Sequence, residues 1–251
     1  MKILILLLLL TPISLPAESQ QAALRIAVAS NFVSLGRVIA DDFEHKTGFK
    51  VKISGASSGK LYAQIRQGAP FDILLSADAL RPDMLVTEGL AVADSNIVYA
   101  LGRLVFWSPI ATVDSLACKQ LLYSQQFKRV AMANPDIAPY GLAAKQTLEN
   151  LDIQAPSFTI VQGENIGQTY AFIHAGGVDA GFIAAAQWLL GNREGCNWSI
   201  EKKYHAPIKQ KAVLLKASKN HKLARRFLDY LGSEAVQDKI RLAGYSTAGE
   251  Q

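Results

Sequence analysis

Four short stretches of this sequence place hydrogen-bond donors where an apolar, strand-like run gives way to a helical one. They are Ser30-Asn31, Ser57-Ser58-Gly59, Pro139-Tyr140-Gly141 and Asn165-Ile166-Gly167. A helix start exposes backbone N–H groups that have no acceptor inside the helix, and the helix dipole favours an anion there. Ser30, Asn31 and Ser58 add neutral side-chain donors, and Tyr140 adds a phenol hydroxyl. Glu164 is the carboxylate nearest to any of these turns, and Lys60 is the flanking cation. Donors without a carboxylate acceptor suit a small, fully ionised oxyanion rather than one that still carries a proton. The same residue types also cap ordinary helices. Taken singly, each turn is compatible with capping or with ligand binding; the four together favour a shared site.

Other chemistries find less support. The string Gly55 to Lys60 (GASSGK) has three residues between its glycines, and Leu61 follows the lysine. A phosphate-binding loop needs four residues there, and a Ser or Thr after the lysine to hold magnesium. Lys60 then reads as a solvated helix residue. The four histidines, His45, His174, His205 and His221, form no paired zinc motif and sit beside no nucleophile elbow. Asp72 and Asp78 flank one strand, but nothing in the sequence supports a paired-carboxylate mechanism. No metal site with direct protein ligands and no catalytic set is expected.

The elements that must position the four turns follow a βαβα order, which argues for an α/β protein with mostly parallel sheets covered by helices. Leu24 to Ala29 reads as a strand, and Leu35, Val38, Ile39 and Phe43 fall at helical spacing before Gly48. Val51 to Ser54 and Phe71 to Ser76 read as strands, with a helix over Lys60 to Gln67 between them. Ile97 to Trp107 reads as one longer strand broken at Gly102. Arg129 to Ala133, Phe158 to Gln162, Ala180 to Ile183 and Ala212 to Leu215 are further strands, and a helix is expected over Leu142 to Leu151. Leu223 to Leu231 and Glu234 to Leu242 close the chain as helices. No internal sequence repeat is visible. Ligands of open α/β folds sit at the carboxyl ends of strands, so the four turns could converge on one cleft.

With 251 residues, 50% apolar and 19% charged, the chain can bury a sizeable core, which excludes disorder as its main description. The formal charge of +5 comes from no basic tract, so no nucleic-acid partner is expected. Met1 to Ala17 (MKILILLLLLTPISLPA) has the basic, apolar and small-residue order of a secretory signal, and its apolar run is too short to span a bilayer. The mature protein is therefore expected to be exported, which in a bacterium means the periplasm. In such a compartment Cys118 and Cys196 could bridge or stay as two separate thiols; their spacing leaves both open.

Five blocks carry a family resemblance: AVASNF (Ala27 to Phe32), ISGASSGKLYAQI (Ile53 to Ile65), GAPFDILLSAD (Gly68 to Asp78), NPDIAPYGLAAKQTL (Asn134 to Leu148) and ENIGQ (Glu164 to Gln168). In this order and spacing the chain resembles the periplasmic molybdate-binding proteins that feed ATP-driven importers. The resemblance implies a type II solute-binding protein fold of two α/β lobes joined by two chain crossings. Lobe 1 is then expected over residues 24–100 plus 209–251 and lobe 2 over 101–208. It implies binding without chemistry, no cofactor, molybdate or tungstate as ligand, and an ABC permease with its cytoplasmic ATPase as partner; the protein itself is expected to be a monomer. Carried over by position, it implies Ser30 as a donor through hydroxyl and backbone, Asn31 beside it, Ser58 at a helix start, and the backbone N–H groups of Tyr140 and Ile166. Many relatives also place a tyrosine donor where this chain has Ala184, and Asn31 with Tyr140 is expected to compensate. Another oxyanion such as sulfate, or an exported hydrolase of phosphate or sulfate esters, are the alternatives.

Overall fold

The computed structural model describes residues 23–247, except 112, 125, 154, 155, 192 and 193. The expected signal segment 1–17 lies outside the described residues. The first half of the chain runs β1 (Leu24–Ala29), α1 (Val33–Thr47), β2 (Val51–Ala56), α2 (Ser58–Arg66), β3 (Ile73–Leu75), α3 (Leu80–Thr87) and β4 (Ile97–Gly102). A second series follows: β5 (Leu104–Ser108), α4 (Ser115–Tyr123), β6 (Arg129–Ala133), α5 (Pro139–Asn150), β7 (Thr159–Gly163), α6 (Ile166–His174), β8 (Ala180–Ala184), α7 (Ala185–Leu190) and β9 (Cys196–Ser199). The chain then returns through β10 (Ile208–Leu214) to α8 (His221–Leu231) and α9 (Glu234–Leu242).

These strands form two five-stranded sheets, ordered β2-β1-β3-β10-β4 and β7-β6-β8-β5-β9. In each sheet the first three strands run parallel and the fourth is antiparallel to both of its neighbours. The reversed strand is in each case the one that arrives from the other lobe: β10 in the first sheet and β5 in the second. The two lobes thus share one β-α-β-α-β plan, although their sequences show no repeat.

Local chemistry explains the elements that matter for the cleft. Strand β1 is buried at every position except Arg25, as expected of an inner strand covered on both faces. In α1 the residues Leu35, Ile39 and Phe43 recur at one face and are buried, and Gly48, at φ 76°, ends the helix in the left-handed region. Phe32, Phe43, Tyr99 and Phe227 anchor the lobe 1 core; Phe106, Phe127, Phe182 and Trp198 anchor that of lobe 2. Each large apolar side chain so buried contributes roughly 1.5–3 kcal/mol. Cys118 of α4 and Cys196 of β9 are joined by a disulfide, so the bridged alternative holds.

Two readings need correction. The apolar run from Ile97 to Trp107 is not one strand: β4 and β5 lie in different sheets, and Arg103 alone carries the chain between the lobes. The second crossing runs from β9 to β10. Pro139-Tyr140-Gly141 is not a turn preceding a helix but the first turn of α5 itself, because proline is well suited to that position. Helix α7 and strand β9 were not legible in the sequence pattern.

Candidate functional site

Strands β1 and β2 are parallel neighbours, as are β6 and β7. The four turns follow their carboxyl ends, so each lobe presents two adjacent helix starts to the other. Between them lies a small cavity of about 10 Å³ lined by Ser30, Asn31, Ser57, Ser58, Tyr140 and Ile166 together with small or apolar residues. All five residues expected at the site reach this cavity. No charged side chain lines it. A larger cleft of about 540 Å³ adjoins it, sharing Ser30 and Asn31 and bordered by Arg37 and Gln187.

Three of the four turns supply no side-chain cap, and the fourth does. Helices α1, α2 and α5 have no side-chain cap bond. In α6 the cap is Asn165, whose side-chain oxygen accepts from Gly167 N (2.9 Å) and Gln168 N (3.0 Å). The N–H groups of Ser58, Tyr140 and Ile166 stand in first turns, where helix geometry supplies no acceptor. Ser58 is fully buried and its Oγ accepts from Ala77 N at 2.9 Å, so its own proton is left to donate. Ser57 Oγ is buried and has no hydrogen-bond partner among the described residues. Ser57 and Ser58 are indistinguishable by type in the sequence; only the Ala77 amide, brought in by the end of β3, separates them.

Ser30 and Asn31 depart from expectation. The Ser30 backbone N–H donates to Ala56 O at 2.9 Å within the β1–β2 ladder, so only its hydroxyl is available to a ligand. That hydroxyl accepts from Gly167 N of the opposite lobe at 3.3 Å. The Asn31 amide nitrogen donates to Gln210 Oε1 (2.8 Å) and to Tyr245 OH (3.2 Å), and Asn31 Oδ1 is buried without a partner. Ala184 offers nothing: it is buried, and its N–H donates to Gln187 Oε1 at 3.0 Å. The same Gln187 donates through Nε2 to Ile166 O at 3.0 Å, so it steadies the start of α6.

The lobes are closed on one another. Gly59 N donates to Ile137 O at 2.9 Å. Arg81 Nη2 donates to Asp136 O at 3.0 Å. Lys60 pairs with Glu164 at 3.2 Å, so it is not simply solvated, although exposure makes the pair worth little. Asp72 and Asp78 do not form a carboxylate pair. Asp72 accepts from Arg25 N and Ser218 Oγ, whereas Asp78 is held by Arg81. Among the described residues no cluster of three or more His, Cys, Asp or Glu could hold a metal ion, and no helix is long and apolar enough to cross a membrane.

Behind the cavity Tyr99, Tyr140 and Tyr245 are buried, and burial pushes each phenol above its usual range, with repulsion between phenols adding to it at Tyr99 and Tyr140. The folded chain therefore keeps protons that the unfolded chain loses above the ordinary phenol value of 10.0. Stability should be unaffected by these groups below that pH and should fall as pH rises beyond it. Urea midpoints measured from about pH 9 to about pH 11 should decline, and Tyr99→Phe should flatten the decline.

Similarity to known proteins identifies the family. A sequence model of bacterial extracellular solute-binding proteins matches residues 24–246. The molybdate-binding protein ModA of Rhodobacter capsulatus is 38% identical over 96% of this chain and 94% of its own length. ModA of Azotobacter vinelandii is 37% identical over 92% of each chain. The solved periplasmic molybdate-binding protein of Azotobacter vinelandii superposes with a TM-score of 0.81 at 33% identity, covering 88% of this chain and 98% of that one. With its two sheets, its two crossings and its ring of helix starts, this chain belongs to the bacterial extracellular solute-binding protein family and, within it, to the molybdate-binding proteins these relatives represent.

Proposed function

We propose that the protein captures molybdate between its lobes in the periplasm and hands it to an ABC importer, a permease with a cytoplasmic ATPase. The observation that carries this reading is the composition of the cavity wall: neutral hydroxyl and backbone donors from both lobes, with no carboxylate and no cation. The donors are the Ser30, Ser57 and Ser58 hydroxyls and the N–H groups of Ser58, Tyr140 and Ile166, with Asn31 beside them. A tetrahedral dianion offers four oxygens, each able to accept more than one bond. Each charge-assisted bond contributes roughly 1.5–3 kcal/mol net. Stripping water from the dianion costs so much that only a nearly complete donor set offsets it. The metal arrives wrapped in oxygen, and the protein touches only the oxygens. With lobes at 24–100 plus 209–251 and 101–208, each boundary falls within a few residues of a crossing, and rotation about the two crossings opens the site.

Calorimetric titration with molybdate tests the reading. Wild-type protein should bind it with one site per chain, tungstate should compete at similar concentration because it is nearly the same size, and smaller sulfate should compete poorly. Ser58→Ala should weaken molybdate at least tenfold, about 1.4 kcal/mol or more, because it removes a hydroxyl whose oxygen accepts from Ala77 N and whose proton is thereby turned to the ligand. Trp188, next to Gln187 in α7, should report closure by fluorescence. A wild-type protein that gives no heat with molybdate, or a Ser58→Ala isotherm identical to wild type, would count against the site.

A further inference from the structure

Five buried polar side chains lie behind the cavity and come from both lobes: Asn31, Tyr99, Tyr140, Gln210 and Tyr245. Gln210 is at their centre. It is fully buried on β10, the strand that follows the second crossing and completes the first sheet. Its Oε1 accepts from Asn31 Nδ2 (2.8 Å) and from Tyr99 OH (3.0 Å), and its Nε2 donates to Tyr140 OH of the opposite lobe (3.3 Å). Tyr245 OH donates to the Asn31 backbone carbonyl at 2.9 Å. In this arrangement the one atom left over is Asn31 Oδ1, an acceptor, in a residue that is 5% exposed and lines the cavity.

The two ends of a carboxamide are nearly the same size, so the same heavy-atom positions admit a second proton arrangement. Turn both amides by half a rotation. Gln210 Nε2 then donates to Asn31 Oδ1 and to Tyr99 OH, and Tyr99 OH donates to Ser76 O, which lies 3.2 Å away. Tyr140 OH donates to Gln210 Oε1. The atom left over is now the Asn31 NH₂. The first arrangement leaves one buried group unmade; the second also gives up the Asn31–Tyr245 bond, because the single Tyr245 proton can serve Asn31 O or Asn31 Oδ1 but not both, so a ligand bond must offset that loss. The two differ in sign toward a ligand. The first presents a carbonyl oxygen to the cavity, which repels an oxyanion. The second presents a donor, which an oxyanion satisfies.

We propose that Gln210 is a positioning residue that, seated on the Tyr140 hydroxyl when the lobes close, turns the Asn31 carboxamide so that its NH₂ faces the bound oxyanion. This rests on the proposed oxyanion-binding function. Gln210 does not touch the ligand itself. It makes a donor in lobe 1 depend on a hydroxyl in lobe 2, so the complete donor set exists only in the closed form. The protonated phenols suit this role, since Tyr140 must give a proton and Tyr99 must both give and receive one.

A double-mutant cycle tests it. Molybdate affinity is measured by calorimetry for wild type, Gln210→Met, Asn31→Ala and the double variant, with the melting temperature of each recorded. Gln210→Met should weaken binding about tenfold or more in the wild-type background and by less than about twofold when Asn31 is already alanine. Tyr140→Phe, which keeps the ring and the backbone N–H, should show the same dependence on Asn31, and it stands in if Gln210→Met does not fold. Equal losses in both backgrounds, or no loss in a folded Gln210→Met protein, would overturn the relay while leaving the binding function intact. Failure of the wild-type protein to bind molybdate would overturn both, and the wild-type arm distinguishes the two failures.

Discussion

Gly59→Val should weaken ligand binding about ten- to a hundredfold while leaving the melting temperature of the ligand-free protein nearly unchanged. Gly59 stands in the first turn of α2, in lobe 1, with its amide on Ile137 O of lobe 2. A Cβ added there would lie 3.0 Å from the Ile137 Cα and Cβ and 3.1 Å from its carbonyl oxygen. Those atoms are mostly backbone and cannot rotate aside. Overpacking of this kind costs about 1–3 kcal/mol, and every 1.4 kcal/mol is a factor of ten in affinity. The cost falls on closure alone, because each lobe still folds on its own core and Gly59 has no left-handed backbone angle that valine would strain. Small-angle scattering should show the variant staying more open at ligand concentrations that close the wild type. An affinity within twofold of wild type would mean that closure does not bring Gly59 against Ile137.

Removing the disulfide should cost about 4 kcal/mol of unfolding free energy with little effect on binding. Cys118 and Cys196 are separated by 78 positions that hold most of lobe 2. In the chain-entropy account, freeing a loop of that length lowers the cost of unfolding by about 4–5 kcal/mol, a third or more of what many domains possess. The double variant Cys118→Ala with Cys196→Ala is the cleaner test, since a single substitution leaves a buried thiol. Urea denaturation at 25 °C should show the midpoint fall. Neither cysteine lines the cavity, so molybdate affinity measured well below the new midpoint should stay within about twofold. A stability loss under about 1 kcal/mol would show that the bridge constrains the unfolded chain far less than its loop length implies.

Strands β1 and β6 were legible to the residue because each is a short apolar run stopped by a polar or turn residue. The crossing at Arg103 was not. A glycine between two apolar runs looks the same whether the chain bends within one sheet or passes to another; only the pairing of Leu101 with Lys209 and of Leu104 with Ala184 decides it. The four turns were legible through residue type, since helix starts facing an anion need small residues and free donors. What residue type could not reveal is which donors are already engaged. Ser30 loses its amide to Ala56, and the Asn31 amide is directed by Gln210, 179 positions away. Such engagement, including the Asn31 nitrogen's bond to Gln210, is set by tertiary partners, and no local pattern encodes it. Ala184 was legible as a missing donor, but the neighbouring Gln187, which holds the Ile166 carbonyl, reads in sequence as an ordinary helix residue.

The strand that returns to complete the first sheet has a consequence for how the molecule comes into being. The second sheet is built wholly from residues 104–199, an uninterrupted stretch. The first sheet holds β10 between β3 and β4, so it has a gap in its middle until Leu214 has been synthesised. On a growing chain, the half encoded first is thus the half finished last. Until then β3 and β4 lack the neighbour between them, and the donors on the lobe 1 side stand on an unfinished sheet. The cleft can acquire its affinity only near the end of synthesis, when a strand threaded back from the younger lobe closes the older one.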